Sequence, residues 1–179
     1  MHYLAKFIYF KLLRWKLVGS FPELDKFIII VVPHTSWVDF FLGLLVRRVW
    51  NEEINYIAKK SLFDTPFGWY FKWMGGAPID RSKSNDTVQA IADIFNGRKK
   101  FRLALSPEGT RKKVTEWKTG FYYIAKAAKV PIVMVAFDYG GKQIKISKPH
   151  IPTEDKAKDF KTYTSFFKGV IGKVPEYSF

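Results

Sequence analysis

The stretch FIIIVVPHTSWVD, residues 27–39, decides how this chain folds. Its first six residues are aromatic or β-branched, which is typical of a buried strand. Pro33 ends that strand and a short loop follows. Ser36 can cap a helix that begins near Trp37, with Asp39 as the acidic third residue of a capping box. The stretch therefore predicts a strand, a bend and a helix in immediate succession.

Two side chains of this stretch, His34 and Asp39, are candidates for proton transfer. They are five residues apart, so on a helix they would point about 140° apart, and on a strand they would lie on opposite faces. They can meet only across a bend, where the carboxylate would fix the tautomer of the histidine and stabilise its cation. Alternatively, Asp39 only caps the helix and His34 is an ordinary loop residue. The stretch by itself leaves both interpretations open.

Beyond residue 39 the hydrophobic pattern alternates between the strand period and the helix period. Such alternation predicts an α/β fold: a single layered domain over residues 1–179 with a mostly parallel central sheet flanked by helices. Ligands of such sheets bind beyond the carboxyl ends of the strands, and His34 directly follows one of them. Further strands are predicted at 55–58, 101–105, 130–137 and 143–147, and helices at 37–49, 86–95, 121–128 and 160–167.

A second polar segment, residues 106–111, follows the strand predicted at 101–105. If the two strands are parallel, this segment opens onto the same edge of the sheet as His34. Gly109 permits close backbone approach, Thr110 offers a hydroxyl, and Arg111 presents a planar fork of donors suited to a phosphate. A turn with a solvated arginine would also fit this pattern.

The chain carries 30 Lys and Arg against 16 Asp and Glu, a net charge of +14. This excess indicates an anionic partner, which could be nucleic acid, lipid headgroups or a phosphorylated substrate. No nucleic-acid-binding motif is present, so no nucleic-acid partner is expected. Arg81, which follows Gly75 and Gly76, is a second candidate for phosphate binding or a solvated surface residue.

The segment MHYLAKFIYFKLLRWKLV, residues 1–18, predicts an N-terminal interfacial helix. Apolar residues cover almost its whole circumference and cations are scattered among them, a mixture that suits the headgroup boundary of a membrane. The alternative is a terminal helix packed on the core. The longest apolar stretches, 27–33 and 40–46, fall short of the roughly 20 residues that a spanning helix needs.

Composition restricts the chemistry further. There is no cysteine, so neither a thiol nucleophile nor a disulfide framework is possible. A metal hydrolase using His34 and Asp39 would be short of ligands, because the only other histidines are His2 and His150.

Four blocks of the chain resemble motifs of one enzyme family. His34 to Asp39 resembles the H-x4-D motif of the glycerolipid acyltransferases, the group that contains 1-acylglycerol-3-phosphate acyltransferase. Three further blocks follow in family order, and two intervening segments also resemble the family, so the resemblance covers a motif-bearing core of about residues 27–138. The further blocks are 75–81, 106–111 and 130–133, and the intervening segments are 59–62 and 117–120.

The resemblance implies roles for particular residues. His34, oriented by Asp39, is the general base that deprotonates an acceptor hydroxyl, which attacks an acyl thioester of coenzyme A or acyl carrier protein. Transfer is direct, and neither a metal nor another cofactor is implied. Arg81 and Arg111 hold the phosphate of the acceptor. The other substrate-binding positions are Lys60, Glu108, Gly109 and Thr110.

The family also indicates the acceptor. The expected acceptor is 1-acylglycerol-3-phosphate, a lysophospholipid, which would give phosphatidic acid. The absence of cysteine fits a cytoplasmic location, and the N-terminal segment and the charge suit a peripheral position on an anionic membrane, so the cytoplasmic face of the membrane is the expected location. Another lysolipid or an amine-containing lipid is an alternative acceptor. From a different class, a noncatalytic basic module that binds anionic membrane or nucleic acid would also explain the charge.

Overall fold

The computed structural model describes residues 2–79 and 87–178, and the strands and helices below are those of this part of the chain. The strands are β1 (Lys16–Val18), β2 (Lys26–Val32), β3 (Tyr56–Lys59), β4 (Gly76–Ile79), β5 (Phe101–Leu105), β6 (Ile132–Asp138) and β7 (Gln143–Ile146). The helices are α1 (His2–Lys6), continued by a π-helix (Phe7–Leu12), α2 (Val38–Trp50), α3 (Lys60–Phe63), α4 (Gly68–Trp73), α5 (Thr87–Gly97), α6 (Gly120–Ala128), α7 (Lys156–Phe167) and a 3-10 turn (Pro175–Tyr177).

The central sheet has five strands in the order β1-β7-β6-β2-β5, and three of its four strand pairings are parallel. Only the hairpin of β6 and β7 is antiparallel. Strands β3 and β4 form a second, parallel sheet, which Asn55 joins to β5 through a parallel bridge to Leu103. The predicted fold class, with a mostly parallel central sheet flanked by helices, is confirmed.

Alternate residues of β2 serve opposite faces of the sheet. Ile28 and Ile30 pack in a core cluster with α5, α6 and α7, whereas Phe27 and Ile29 pack in a second cluster with α1 and α2. Burial on both faces explains why this strand is apolar at every position from Phe27 to Val32 instead of alternating with polar residues.

The register of the strands places three loops side by side. Ile30 of β2 lies opposite Leu105 of β5 on one side and opposite Met134 of β6 on the other. All three strands run in the same direction, so the loops that follow them emerge at one edge of the sheet. This edge is called the carboxyl edge below.

The helix predicted over residues 1–18 is wrong in its second half. Helical structure ends at Leu12, Arg14 adopts a positive φ of 56°, and β1 pairs in parallel with β7. The pairing satisfies main-chain groups of the exposed edge of β7, including the carbonyl of Lys142, which accepts from the N–H of Lys16 at 2.9 Å. A three-residue strand that forms through such a distant partner leaves almost no local signal.

The N-terminal segment both packs on the core and faces outward. Tyr9 and Trp15 are buried, and the Tyr9 hydroxyl donates to the carbonyl of Lys16 at 2.9 Å. Tyr3 and Phe7 are 85% and 59% exposed. Some side chains of the segment therefore pack on the core, as the alternative interpretation predicts, while others are exposed.

Candidate active site

The His34–Asp39 pair forms at the carboxyl edge, in the loop between β2 and α2. Nδ1 of His34 lies 3.1 Å from Oδ2 of Asp39, and the same oxygen accepts the backbone N–H groups of Thr35 and Ser36 at 2.9 Å each. The Asp39 side chain is 1% exposed and that of His34 is 29% exposed. Asp39, in the first turn of α2, therefore accepts two backbone N–H groups of the loop that leads into this helix, and the same oxygen contacts the histidine across the bend.

The environment keeps Asp39 ionised. Burial alone would raise its pKa, but hydrogen bonds from His34, Tyr139 and the backbone of Ser36, together with the positive charge that His34 can carry, hold the pKa of Asp39 below its ordinary value. A carboxylate beside Nδ1 favours the proton on that nitrogen, which leaves Nε2 as the basic nitrogen of the ring. This is the arrangement that a general base requires.

Tyr139 was not identified from the sequence. Its hydroxyl donates to Oδ1 of Asp39 at 2.7 Å. Burial, and then the hydrogen bond to Asp39 and the charge of that carboxylate, raise the pKa of the Tyr139 hydroxyl, so it remains a proton donor. Tyr139 directly follows β6, and its position at the end of a parallel strand was the available sequence signal.

Glu108 joins the second polar segment to the first. The backbone N–H of His34 donates to Oε2 of Glu108 at 2.6 Å, and the hydroxyl of Ser106 donates to the same oxygen at 3.2 Å. Glu108 is 4% exposed. Burial raises its pKa, although the two hydrogen bonds act in the opposite direction. The expected convergence of the two segments at one edge is confirmed.

The residues after Glu108 form an exposed turn. Gly109 has a φ of +64°, and a Cβ at this position would lie 2.7 Å from Nζ of Lys118, so the lysine side chain extends across the glycine. The Thr110 hydroxyl accepts the N–H of Lys112 at 3.3 Å, so this hydroxyl forms a hydrogen bond within the turn. Arg111 is exposed. Lys118 was not predicted as a site residue, although it belongs to the family-like segment 117–120.

Lys60 and Arg81 are the other two predicted substrate-binding residues. Lys60 is exposed and begins α3 directly after β3, the strand that follows the parallel bridge of Asn55 to Leu103. Arg81 lies outside the described residues. Arg111 and Lys118 are exposed cations that follow β5.

A segment far along the chain also contacts this loop. The backbone N–H of Val174 donates to Oγ1 of the buried Thr35 at 3.1 Å, and the carbonyl of Ile171 accepts the N–H of Tyr139 at 2.8 Å. Gly172 lies so close that a Cβ there would be 2.7 Å from Oγ1 of Thr35. Residues 171–174 therefore pack against Tyr139 and the loop between β2 and α2.

An apolar cavity of about 250 Å³ lies between α2 and the sheet. His34 and Asp39 line it at the start of α2, and Trp50 lines it at the end of that helix, whose 13 residues span about 20 Å. Gly43 lies midway along this wall. The apolar lining includes Ile29, Val31, Phe40, Leu44, Met74, Val135 and Phe137.

The other histidines lie elsewhere. Nε2 of His150 contacts Oδ1 of Asp159 at 2.9 Å, and Asp159 also accepts from the Tyr122 hydroxyl at 3.2 Å, near the start of α7. His2 contacts the carbonyl of Arg48. Within residues 2–79 and 87–178, no three His, Asp or Glu side chains are grouped as a metal site would require.

Comparison with known proteins adds sequence evidence. The family model described as Acyltransferase matches residues 16–138. The chain is 31% identical over 166 residues to the 1-acyl-sn-glycerol-3-phosphate acyltransferase of Saccharomyces cerevisiae, which covers 80% of this chain and 54% of the yeast protein. Identity to the enzyme of the same name from Streptococcus pneumoniae is 33% over 138 residues, covering 70% of this chain and 50% of the other. This chain spans about half the length of these relatives.

A solved structure shares the fold. The crystal structure of the 1-acyl-sn-glycerophosphate acyltransferase from Thermotoga maritima matches with a TM-score of 0.61 at 21% identity, covering 92% of this chain and 74% of that one. At this level of identity the likeness concerns the fold.

Proposed function

Because the chain belongs to the acyltransferase family, we propose that it transfers a fatty acyl group from an acyl thioester to the free hydroxyl of a lysophospholipid. The proposed acceptor is 1-acylglycerol-3-phosphate and the product phosphatidic acid. One observation carries the proposal: a buried, ionised carboxylate contacts Nδ1 of the partly exposed His34 at the start of an apolar cavity.

His34 acts as the general base in this proposal. Nε2 takes the proton of the acceptor hydroxyl as the oxygen attacks the thioester carbonyl, and Asp39 stabilises the imidazolium that forms. The new carbon–oxygen bond forms and the carbon–sulfur bond breaks. The proton then passes from His34 to the departing thiolate. The chain has no cysteine, and this route needs no covalent acyl-enzyme.

The cavity beside α2 holds the acyl chain of the donor. Each methylene that leaves water for an apolar environment contributes about 0.8 kcal/mol, so a chain lying along α2 would be bound firmly. Because His34 and Asp39 lie at one end of the cavity, such a chain would present its thioester carbon to the base. Orientation of this kind can supply a large part of the rate enhancement.

Cations of the carboxyl edge bind the phosphate of the acceptor. Arg111 and Lys118 lie beside the exposed Gly109 turn, and Lys60 follows the neighbouring strand β3. A guanidinium fork binds phosphate oxygens in a bidentate manner, and an ammonium adds a point charge. Family resemblance adds Arg81 to this set.

The enzyme meets its lipid substrates at an anionic membrane surface. We call the exposed aromatic side chains of α1 and the π-helix, of α2 with the preceding residue, and of α4 the aromatic surface: Tyr3, Phe7, Trp37, Phe41, Trp69 and Trp73. Arg48 links α1 with α4, because its carbonyl contacts His2 of α1 and its guanidinium lies 5.6 Å from the ring of Trp73 in α4.

Rings at the headgroup level, with cations reaching phosphates, are the expected mode of such docking. We place the protein at the cytoplasmic face, where acyl-CoA and acyl carrier protein are available. No helix among the described residues has the length and apolarity needed to span a bilayer.

The test is acyl transfer by the purified chain. Labelled acyl-CoA or acyl carrier protein thioester is mixed with 1-acylglycerol-3-phosphate, other lysolipids and amine-containing lipids, and the products are separated. The His34→Ala variant should lose at least a hundredfold in kcat, as expected for removal of a positioned base. His150→Ala is the matched control, because this histidine also contacts an aspartate but lies elsewhere.

Near-native turnover by His34→Ala would refute the assignment of the base. Transfer to a different acceptor would keep the reaction and change the substrate. A chain that acylates nothing in the panel and binds nucleic acid with a steep salt dependence would be a noncatalytic basic module instead.

A further inference from the structure

The two oxygens of the Asp39 carboxylate have different partners. Oδ2 faces His34 Nδ1 and accepts the backbone N–H groups of Thr35 and Ser36. Oδ1 points the other way and, among the described residues, accepts only the hydroxyl of Tyr139. Because Asp39 is almost completely buried, water cannot readily replace that hydroxyl.

Tyr139 itself is fixed from three directions. Its backbone N–H donates to the carbonyl of Ile171 at 2.8 Å. Its ring packs edge-on against Trp15 with ring centroids 5.0 Å apart, and the ammonium of Lys173 lies 5.7 Å from the ring centroid. Since the residue directly follows β6, the sheet also holds its main chain. The hydroxyl is thus delivered to Asp39 by a rigid side chain.

We propose that Tyr139 is a positioning residue of the acyl-transfer site, which holds the Asp39 carboxylate so that Oδ2 stays directed at His34. Its role in catalysis rests on the proposed function, whereas its effect on the His34–Asp39 pair does not. The raised pKa of the hydroxyl supports the proposal, because the donor stays protonated across the working range of the enzyme. At metal sites, partners that orient a ligating residue commonly affect affinity or activity by 10- to 100-fold, and we expect an effect at the lower end of this range here.

The first test is Tyr139→Phe, which removes the hydroxyl and keeps the ring. We expect kcat to fall about tenfold while KM for both substrates stays within about twofold, because Tyr139 does not line the cavity beside α2. The acid limb of the kcat/KM profile should move to higher pH. Without the donor to Oδ1 the carboxylate is less stabilised, so the His34–Asp39 pair holds its proton more tightly.

Tyr122→Phe is the matched control. The Tyr122 hydroxyl lies 3.2 Å from Oδ2 of a buried aspartate, Asp159, which contacts His150, and 2.7 Å from the carbonyl of Thr153, so its proton is shared between the two acceptors. The variant loses the same chemical group from the same kind of triad away from the carboxyl edge. Its kcat and its acid limb should equal those of the wild type, even if its thermal stability falls.

A second readout needs no substrate. Nitrogen NMR of the His34 ring reports which nitrogen carries the proton and over what pH range. Wild type should hold the proton on Nδ1, and Tyr139→Phe should shift the titration of the ring and mix the tautomers. If the wild-type chain acylated no acceptor, the proposed function would fail, while this measurement would still decide the role of Tyr139.

The proposal is overturned if Tyr139→Phe keeps the wild-type kcat, acid limb and His34 ring shifts. Should that variant not fold, 3-fluorotyrosine at position 139 replaces it, because the fluorine makes the hydroxyl a stronger donor. The acid limb should then move to lower pH. An unchanged acid limb with fluorotyrosine would equally overturn the proposal.

Discussion

The backbone N–H of His34 donates to the carboxylate of Glu108 at 2.6 Å, so the loop after β5 fixes the main chain of the loop after β2. The two residues are 74 positions apart in the sequence, yet neighbouring parallel strands place them together. Glu108 therefore has a structural task in addition to any contact with substrate. Protonation of Glu108 therefore changes the acceptor that holds the main chain of the histidine loop.

Replacing Glu108 with Gln should stabilise the protein at neutral pH. Burial raises the pKa of Glu108 above its ordinary value of 4.5. As pH rises above 4.5, the Glu108 carboxyl group therefore loses its proton in the unfolded protein before it does so in the folded protein. The contribution of Glu108 to stability falls over this pH range. Gln keeps an acceptor for the His34 N–H and carries no charge. We expect a gain on the order of 1 kcal/mol at pH 7 that disappears below pH 4.

Urea unfolding from pH 3 to pH 8 measures this difference. Glu116→Gln, a change at an exposed glutamate, is the control and should show no comparable gain. A Glu108→Gln protein that is less stable than the wild type at pH 7 would contradict the prediction.

Replacing Asp39 with Asn should destabilise the protein at neutral pH, which is the opposite of the effect expected for Glu108→Gln. The pKa of Asp39 lies below its ordinary value of 3.8, so its ionised form stabilises the fold above that pH, and the contribution is lost as pH falls through the folded value. The amide oxygen of the substituted side chain can still accept the backbone N–H groups. We expect a loss of about 1–2 kcal/mol at pH 7, which narrows towards pH 3.

The same variant should lower kcat by at least about a hundredfold, because the imidazolium of His34 loses its counter-charge. Exposed Asp64, changed to Asn, provides the control for removing one negative charge. Equal stability of Asp39→Asn and wild type at pH 7, measured by urea unfolding, would show that the charge of Asp39 does not stabilise the fold.

A larger side chain at Gly43 should shorten the acyl chain that the enzyme accepts. Gly43 lies midway along the cavity wall, and a Cβ there would meet only Phe137 at 3.8 Å, so the backbone accommodates a substitution. In Gly43→Leu the added side chain occupies the cavity, and replacing a glycine inside a helix favours the helix by about 1 kcal/mol. We expect kcat/KM for long-chain donors to fall at least tenfold while short-chain donors are retained.

A series of acyl thioesters of increasing chain length measures this profile. Leu45→Phe adds bulk on α2 at a position that does not line this cavity and should leave the preference unchanged. If Gly43→Leu lowered activity equally for every chain length, the cavity would not hold the acyl chain.

Polar substitutions on the aromatic surface should weaken membrane binding without unfolding the protein. Tyr3, Trp37 and Trp69 are 85%, 62% and 69% exposed, so changing all three to Ser removes little packing. Each ring that enters the interface contributes about 1 kcal/mol or more, so vesicle affinity should fall at least tenfold. Deleting residues 1–18 would be a poorer test, because that segment contains β1 and the buried Tyr9.

Co-sedimentation with vesicles that contain anionic lipid measures this affinity. Ile151→Ser is the control, since Ile151 is 74% exposed but lies outside the aromatic surface. Wild-type sedimentation of the triple variant would place the docking surface elsewhere.

The sequence was sufficient for the mostly parallel sheet and for the expectation that residues 106–111 open onto the same edge of the sheet as His34. Both follow from local patterns: an apolar run of strand length, a Pro that ends it, and polar residues directly after two strands. The sequence left open whether Asp39 contacts His34, and the contact of Glu108 with the backbone of His34 came from the structure.

Other features depend on packing between distant segments and left no local signal. β1 forms by pairing with the edge of β7, and the cavity forms where α2 packs over the sheet. Tyr139 reaches Asp39 across 100 positions of the chain. Such contacts depend on where segments pack in three dimensions, which the period of a hydrophobic pattern does not specify.

The contact between Val174 and Thr35 joins residues 139 positions apart. During synthesis His34 and Asp39 leave the ribosome long before Val174 does. Throughout that interval the growing chain carries His34 and Asp39 without the segment that contacts their loop. The packing of this loop is therefore completed only after residues 171–174 have been made.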